Sequence, residues 1–205
     1  MRLDTFNRSR PVYNFRSELQ YGFAKNKDFS IGLEPSISTD GGKLVGNVVE
    51  LSYFEGISRE IGSKPAFGYR IDAGLPVSGG VGTEFRVRGI LTKTLGHYDK
   101  LHLNLDHYHS TSSLPGVRQM RFGAILGYSN PMGYPKAFDQ TLLAELGVEQ
   151  AVVSGSGYNS WLGLGIRRQL SATGVLDLGV QFDISRVSSE PKSPLKLTLG
   201  YSFNF

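Results

Sequence analysis

Leu195–Phe205 reads LKLTLGYSFNF, and its alternation decides the fold. Leu195, Leu197, Leu199, Tyr201, Phe203 and Phe205 share one face of an extended chain, and Lys196, Thr198, Gly200, Ser202 and Asn204 share the other. Period two sustained over such a stretch is the signature of a strand and is incompatible with a helix. A tilted strand of about ten residues is also the length that crosses ~30 Å of hydrocarbon.

The same ending resembles the C-terminal signal of bacterial outer-membrane β-barrels. That signal places a polar residue, then Gly, then an apolar residue and a final aromatic at set spacing; Thr198, Gly200, Phe203 and Phe205 occupy those positions. The resemblance implies a barrel delivered to the outer membrane and handled there by the barrel-assembly machinery through its last strand. An amphipathic edge of a soluble β-sandwich is the alternative.

Moving back from the C-terminus, the alternation recurs ten more times, making eleven expected strands. Phe15, Leu19, Tyr21 and Phe23 oppose Arg16, Glu18 and Gln20. Phe67, Tyr69, Ile71, Ala73 and Leu75 oppose Gly68, Arg70, Asp72 and Gly74. Phe85, Val87 and Leu91 oppose Glu84, Arg86 and Arg88, and Leu101, Leu103 and Leu105 oppose His102, Asn104 and Asp106. Met120–Tyr128 hides Arg121 among apolar neighbours, and Leu142–Val148 does the same with Glu145. Leu162, Leu164 and Ile166 oppose Arg167, while Leu176–Ile184 opposes Asp177 and Asp183. The intervening stretches carry the Gly, Pro, Asn, Asp and Ser of turns, as in Asp40-Gly41-Gly42 and Pro76–Gly82.

A face this rich in Arg, Asp and Glu cannot be the packed core of a sandwich or the apolar cup of a lipocalin-like barrel, because burying unpaired charge costs several kcal/mol. It can line a water-filled lumen, with the apolar face turned to lipid. Arg70, Asp72, Arg86, Arg88, Asp106, Arg121, Glu145, Arg167, Asp177 and Asp183 are therefore the candidate pore-lining residues. Lipid tolerates a sheet only if its edges are closed. The fold class expected is an all-β antiparallel transmembrane barrel formed by residues 1–205 as one domain. Bacterial barrels have even strand numbers, so eleven visible strands imply twelve, with the first weak or missing, or ten as the alternative. MRLDTFNRSR (Met1–Arg10) is a poor candidate for the first strand, and residues 1–11 are expected to be irregular or a partial strand.

Composition fits this reading. Hydrophobic residues make up 40% of the 205 and aromatics 11%, with 26 glycines. No apolar run is long enough for a transmembrane helix, and barrels escape hydropathy scans because only alternate residues meet lipid. The net charge of +4 is dispersed, with no basic run and interleaved aromatics of the kind nucleic acid requires. Cysteine is absent, which removes disulfides and thiolate chemistry. The first twenty residues lack a signal-peptide apolar core, so the export signal is expected to lie upstream or to have been removed.

One stretch invites a catalytic reading. LDHYHSTSS (Leu105–Ser113) resembles the lipid A deacylases that use His, Ser and Glu on a barrel exterior, but those place Ser two residues after His on the same face. Ser110 follows His109 directly and points the other way, so the stretch reads as interfacial histidines. His107 and His109 share a face but have no identifiable second ligand strand, which argues against a metal. Ser154-Gly155-Ser156-Gly157 reads as a hairpin turn, since no helix follows to hold a phosphate.

The order of LQYGFAKNKDFSIGLE (Leu19–Glu34), PAFGYRIDAGLPVSGG (Pro65–Gly80), LHLNLDHYH (Leu101–His109), LLAELGVEQ (Leu142–Gln150), WLGLGIRRQL (Trp161–Leu170) and LDLGVQFDIS (Leu176–Ser185) resembles the outer-membrane channel family described as "MetA-pathway of phenol degradation". That resemblance implies passive passage of small solutes, apolar or aromatic ones among them, with no cofactor and no catalytic residue. A barrel plugged by its own side chains, with a structural or surface role, is the competing expectation, and a lipid-acting enzyme a third.

Overall fold

A computed structural model describes residues 2–5, 12–38, 42, 44–78, 82–112, 114–133, 139–188 and 195–203. Its thirteen strands are β1 (Arg2–Thr5), β2 (Val12–Asn14), β3 (Ser17–Ala24), β4 (Lys27–Ser38), β5 (Leu44–Ser58), β6 (Ala66–Ser78), β7 (Glu84–Leu95), β8 (Asp99–Ser110), β9 (Met120–Met132), β10 (Gln140–Gln150), β11 (Tyr158–Gln169), β12 (Gly174–Ser185) and β13 (Leu195–Phe203). They form one antiparallel sheet in the order β2-β1-β13-β12-β11-β10-β9-β8-β7-β6-β5-β4-β3, and β2 also pairs with β4. No helix occurs among the described residues.

The expected strands from Phe15 to the C-terminus are present, and most are longer than their alternation indicates. β5 runs on to Ser58 and β9 to Met132, so the connections expected at Gly56–Pro65 and Ser129–Asp139 shrink. Alternation fades at these strand ends because the outward face there, with Glu55 and Asn130, is already polar, whereas the backbone ladder continues. β6 likewise runs through Pro76 to Ser78 at a register shift opposite Asn47 and Val48. Pro lacks a ladder donor, and an irregularity in pairing is where a sheet accommodates it.

At the N-terminus, the alternative of a partial strand is the one the pairing displays. Met1–Arg10 contains a strand after all, since Arg2–Thr5 pairs with Leu195–Thr198 on one side, and Arg2–Asp4 pairs with Val12–Asn14 on the other. Four residues are too short to display a period, so only the neighbours on both sides define this strand.

The distribution of side chains inverts that of a soluble domain. Among the described residues the buried apolar set is Ala151 alone, while Ser30, Ser52, Asp72, Asp106, Arg121 and Asn159 are among the buried polar ones. Leu19, Tyr21, Phe122, Leu164, Leu178 and Tyr201 are among many large apolar residues left exposed on the opposite face. A soluble sheet buries its apolar face against another layer. Among the described residues there is no second layer.

Trp161, the only tryptophan, sits on the inner face. Its ring lies against Gly147 so closely that a Cβ added there would stand 2.1 Å from the indole carbons, and Nε1 donates to Glu145 Oε1 at 3.3 Å. Its fluorescence therefore reports which face meets water. In lipid vesicles, acrylamide is expected to quench Trp161 while brominated acyl chains leave it bright; strong quenching by the brominated lipid alone would reverse the assignment of faces.

Candidate functional site

The inner face of β3–β9 is an ion-pair network laid flat along the sheet. Ser30, Gly32 and Ser52 have little or no side chain, and long side chains from neighbouring strands lie over them. Arg16 pairs with Glu18 at 3.0 Å and with Glu50 at 2.7 Å. Arg70 reaches Glu50 at 3.3 Å and Glu18 at 3.4 Å, donates to Ser52 Oγ at 2.8 Å and meets Asp72 at 2.6 Å. Asp72, 4% exposed, also accepts from Ser52 Oγ at 2.6 Å and from Arg86 at 2.7 Å. One carboxylate thus holds two guanidinium groups and a hydroxyl, and its own burial is offset by three partners.

Two further clamps continue the row. Arg88 grips Asp106 through two parallel bonds of 2.7 and 2.8 Å, the geometry in which guanidinium and carboxylate match best. Arg121 pairs with Glu84 and lies over the Tyr108 ring, 4.6 Å from its centroid.

The wall formed by β9–β13 is different. Gly165 and Gly179 are directly paired across β11 and β12, and Gly163 and Gly127 flank Glu145 from its two neighbouring strands. Arg167 and Asp177 pair at 2.7 Å, and the Arg167 side chain is more exposed than any in the β3–β9 network. Between the glycines and the strands beside them lies a cavity of about 430 Å³, lined by Asn104, Ile125, Leu143, Gly165, Gly179 and Gln181 among others. The polar face is thus crowded with paired charge over β3–β9 and carries several glycines over β10–β12.

Nine of the ten candidate lining residues carry the contacts just described on the inner face. Asp183 turns instead to Arg186, 2.9 Å away beyond the end of β12. Glu18, Glu50, Glu84, Arg16 and Trp161 belong to the same face and escaped the candidate set, although the parity of each strand places them there. Thr198 and Gly200 face inward and Phe203 outward, while Phe205 lies outside the described residues.

On the outer face, Tyr53 and Tyr69 both donate to Glu55 Oε2 at 2.8 Å, with Lys27 3.0 Å from the same carboxylate. Tyr128 donates to Asp99 at 2.9 Å at the same end of the sheet. Rings with a polar tip tied to charge mark a boundary between apolar and aqueous surroundings. His107 packs against Phe122 with ring centroids 4.8 Å apart, and Ser110 Oγ accepts from Ser112 N at 3.2 Å. Among the described residues, no three His, Asp or Glu side chains converge as metal ligands. No protein-family model matches this chain, and no curated protein is significantly similar to it.

The connection between β5 and β6 is tied down by Glu60. Its carboxylate accepts from Lys93 Nζ at 2.6 Å, from Thr94 Oγ1 at 2.8 Å and from Thr94 N at 3.0 Å. The Lys93 and Thr94 bonds hold this carboxyl down at about 2, against an ordinary 4.5. A lowered folded pKa means that the clamp contributes fully above the ordinary carboxylate range and is lost as pH falls toward 2. A carboxyl ¹³C titration in detergent should place Glu60 near 2, and Glu60→Gln should speed amide exchange at Thr94 at neutral pH; a midpoint near 4.5 would remove the clamp.

The network predicts unequal costs. Asp72→Asn leaves Arg70 and Arg86 facing each other without their shared carboxylate and should lower unfolding stability by about 3 kcal/mol, the scale of breaking a buried pair. Arg167→Gln, at the more exposed pair, should cost less than about 1 kcal/mol. Guanidinium titrations of folded, detergent-solubilised protein give both; equal losses would contradict the ranking.

Proposed function

We propose that this chain is a bacterial outer-membrane β-barrel of twelve strands that passes small solutes through a narrow lumen. The observation that carries the reading is the asymmetry of the inner face. Its ion pairs crowd β3–β9, whereas Gly163, Gly165 and Gly179 of β11 and β12 border a cavity of about 430 Å³. A row of arginines tied to neighbouring carboxylates keeps its side chains against the sheet, which leaves the glycine side for a solute.

Closure is supported by the pairings at the N-terminus. β13 pairs with β1, β1 with β2, and β2 with β4, so the pairings return to the strand from which they set out. Counting β2 and β3 as one interrupted strand turns thirteen strands into twelve. The inverted burial supports lipid outside and water inside. Alternate apolar residues on β13, ending at Phe203, suit recognition of the last strand by the barrel-assembly machinery. Small apolar or aromatic solutes remain the class implied by the family resemblance, without a cofactor or a catalytic step.

The plugged-barrel reading is favoured by one observation, the reach of Arg70 across to Glu18 and Glu50, which stiffens the wall as a structural device would. Single-channel recording in a planar bilayer separates the two. A channel gives steady ohmic conductance from a heat-modifiable β-rich species. Gly179→Trp, which fills the glycine side, should cut that conductance severalfold while heat-modifiable migration persists, and Arg86→Glu or Arg121→Glu should shift cation-to-anion preference. A folded barrel without conductance would favour the plug, and a chain soluble without detergent would end the membrane reading.

A further inference from the structure

Two rows of cross-strand neighbours on the polar face floor the cavity of about 430 Å³. One row runs Leu143, Gly165, Gly179 and Thr198, each directly opposite the next. The adjoining row runs Gly127, Glu145, Gly163 and Gln181. Half of these places are glycine, which leaves bare backbone as the floor. Leu143 and Ile125 give the cavity an apolar border.

Glu145 gives this cavity its sign. Its side chain lies over Gly163, where an added Cβ would stand 2.5 Å from the Glu145 Cγ, so the missing side chain is what lets it lie down. Trp161 Nε1 donates to Oε1 at 3.3 Å while the indole covers Gly147. An indole N–H is neutral, so this contact orients the carboxylate without balancing its charge. The other ionisable groups of the lining are already matched. Asp177 meets Arg167 at 2.7 Å, and Tyr128 donates to Asp99 at 2.9 Å. The His102 ring sits between Thr92 Oγ1 at 3.0 Å and Ser129 Oγ at 3.2 Å. Lys196 ends the second row beyond Gln181 and does not line the cavity. Among the described residues Glu145 forms no ion pair, whereas Glu18, Glu50, Asp72, Glu84 and Asp106 of the same face each do.

We infer that this cavity is a subsite for a small organic cation, an ammonium group carried on an apolar body. The inference rests on the channel reading and narrows it to a class of solute. A concave, mostly apolar surface with a few placed polar groups is the ordinary build of a small-molecule site, and the volume suits one. The ammonium belongs at Glu145, where a charge-assisted hydrogen bond supplies the charge that the indole lacks. The apolar body rests on the backbone of Gly165 and Gly179 beside Leu143. Gln181 and Thr198 add an amide and a hydroxyl, which can donate or accept. An anion of the same shape is repelled by Glu145, and a neutral one forgoes the charge-assisted bond.

The probes are benzylammonium, benzyl alcohol and benzoate, solutes of similar shape that differ in charge. Trp161 is the only tryptophan and touches Glu145, so its emission in the folded, detergent-solubilised chain reports occupancy. The subsite predicts a saturable change with benzylammonium, roughly tenfold weaker binding of benzyl alcohol, and weaker binding still of benzoate. Glu145→Gln keeps an oxygen to accept from the indole and removes the charge; it should weaken benzylammonium roughly tenfold and leave benzyl alcohol as it was. Glu84→Gln removes the same charge from the same face away from the cavity and should leave benzylammonium binding intact, which a general change of field would not. Equal affinity for benzylammonium and benzyl alcohol, or benzylammonium binding that survives Glu145→Gln, would overturn the subsite. Selective binding by a folded barrel that carries no current would support the subsite and overturn the channel, and current without selective binding would do the reverse.

Discussion

Backbone pairing does in this chain what an apolar core does in most domains. Strand follows strand from β3 to β13 with each ladder antiparallel and nearly continuous, and among the described residues no second layer covers the apolar face. The ladder imposes period two on every side chain, and that period divides the sequence into two surfaces with opposite chemistry. The charges of one face and the aromatics of the other are consequences of that division.

The inner surface handles charge by geometry. Ser30, Gly32 and Ser52 are small where Arg16 and Arg70 need to lie down, so guanidinium groups reach carboxylates two and three strands away. Asp72 and Asp106 are the most enclosed carboxylates of this wall, and each is held by arginine in short, well-directed bonds. In β10–β12 the same face is thinned by glycine instead: Glu145 lies over Gly163 and Trp161 over Gly147, while Gly165 and Gly179 pair directly.

The weak place is where the ladder runs short. Among the described residues β1 pairs over four residues with β13 and over three with β2. Glu60 and its bonds to Lys93 and Thr94 illustrate the opposite situation, a connection fastened by side chains where backbone pairing has ended.

Much of this was legible before any coordinates. Alternation such as Phe67-Gly68-Tyr69-Arg70-Ile71-Asp72 assigns each residue to a face with no knowledge of its neighbours, so the all-β class, nearly every strand and the facing of Arg70, Asp72, Arg86, Arg88, Asp106 and Arg121 follow from the chain alone. Strand β1 did not, because four residues carry no period and its identity comes from Leu195–Thr198 on one side and Val12–Asn14 on the other. The partners of the charges did not either. Parity places Asp72 and Arg70 on one face, but that Asp72 also holds Arg86 and that Trp161 lies over Gly147 depend on register between strands. Local sequence determines which way a side chain points; only the tertiary pairing determines what it meets there, because register is a relation between two strands and belongs to neither.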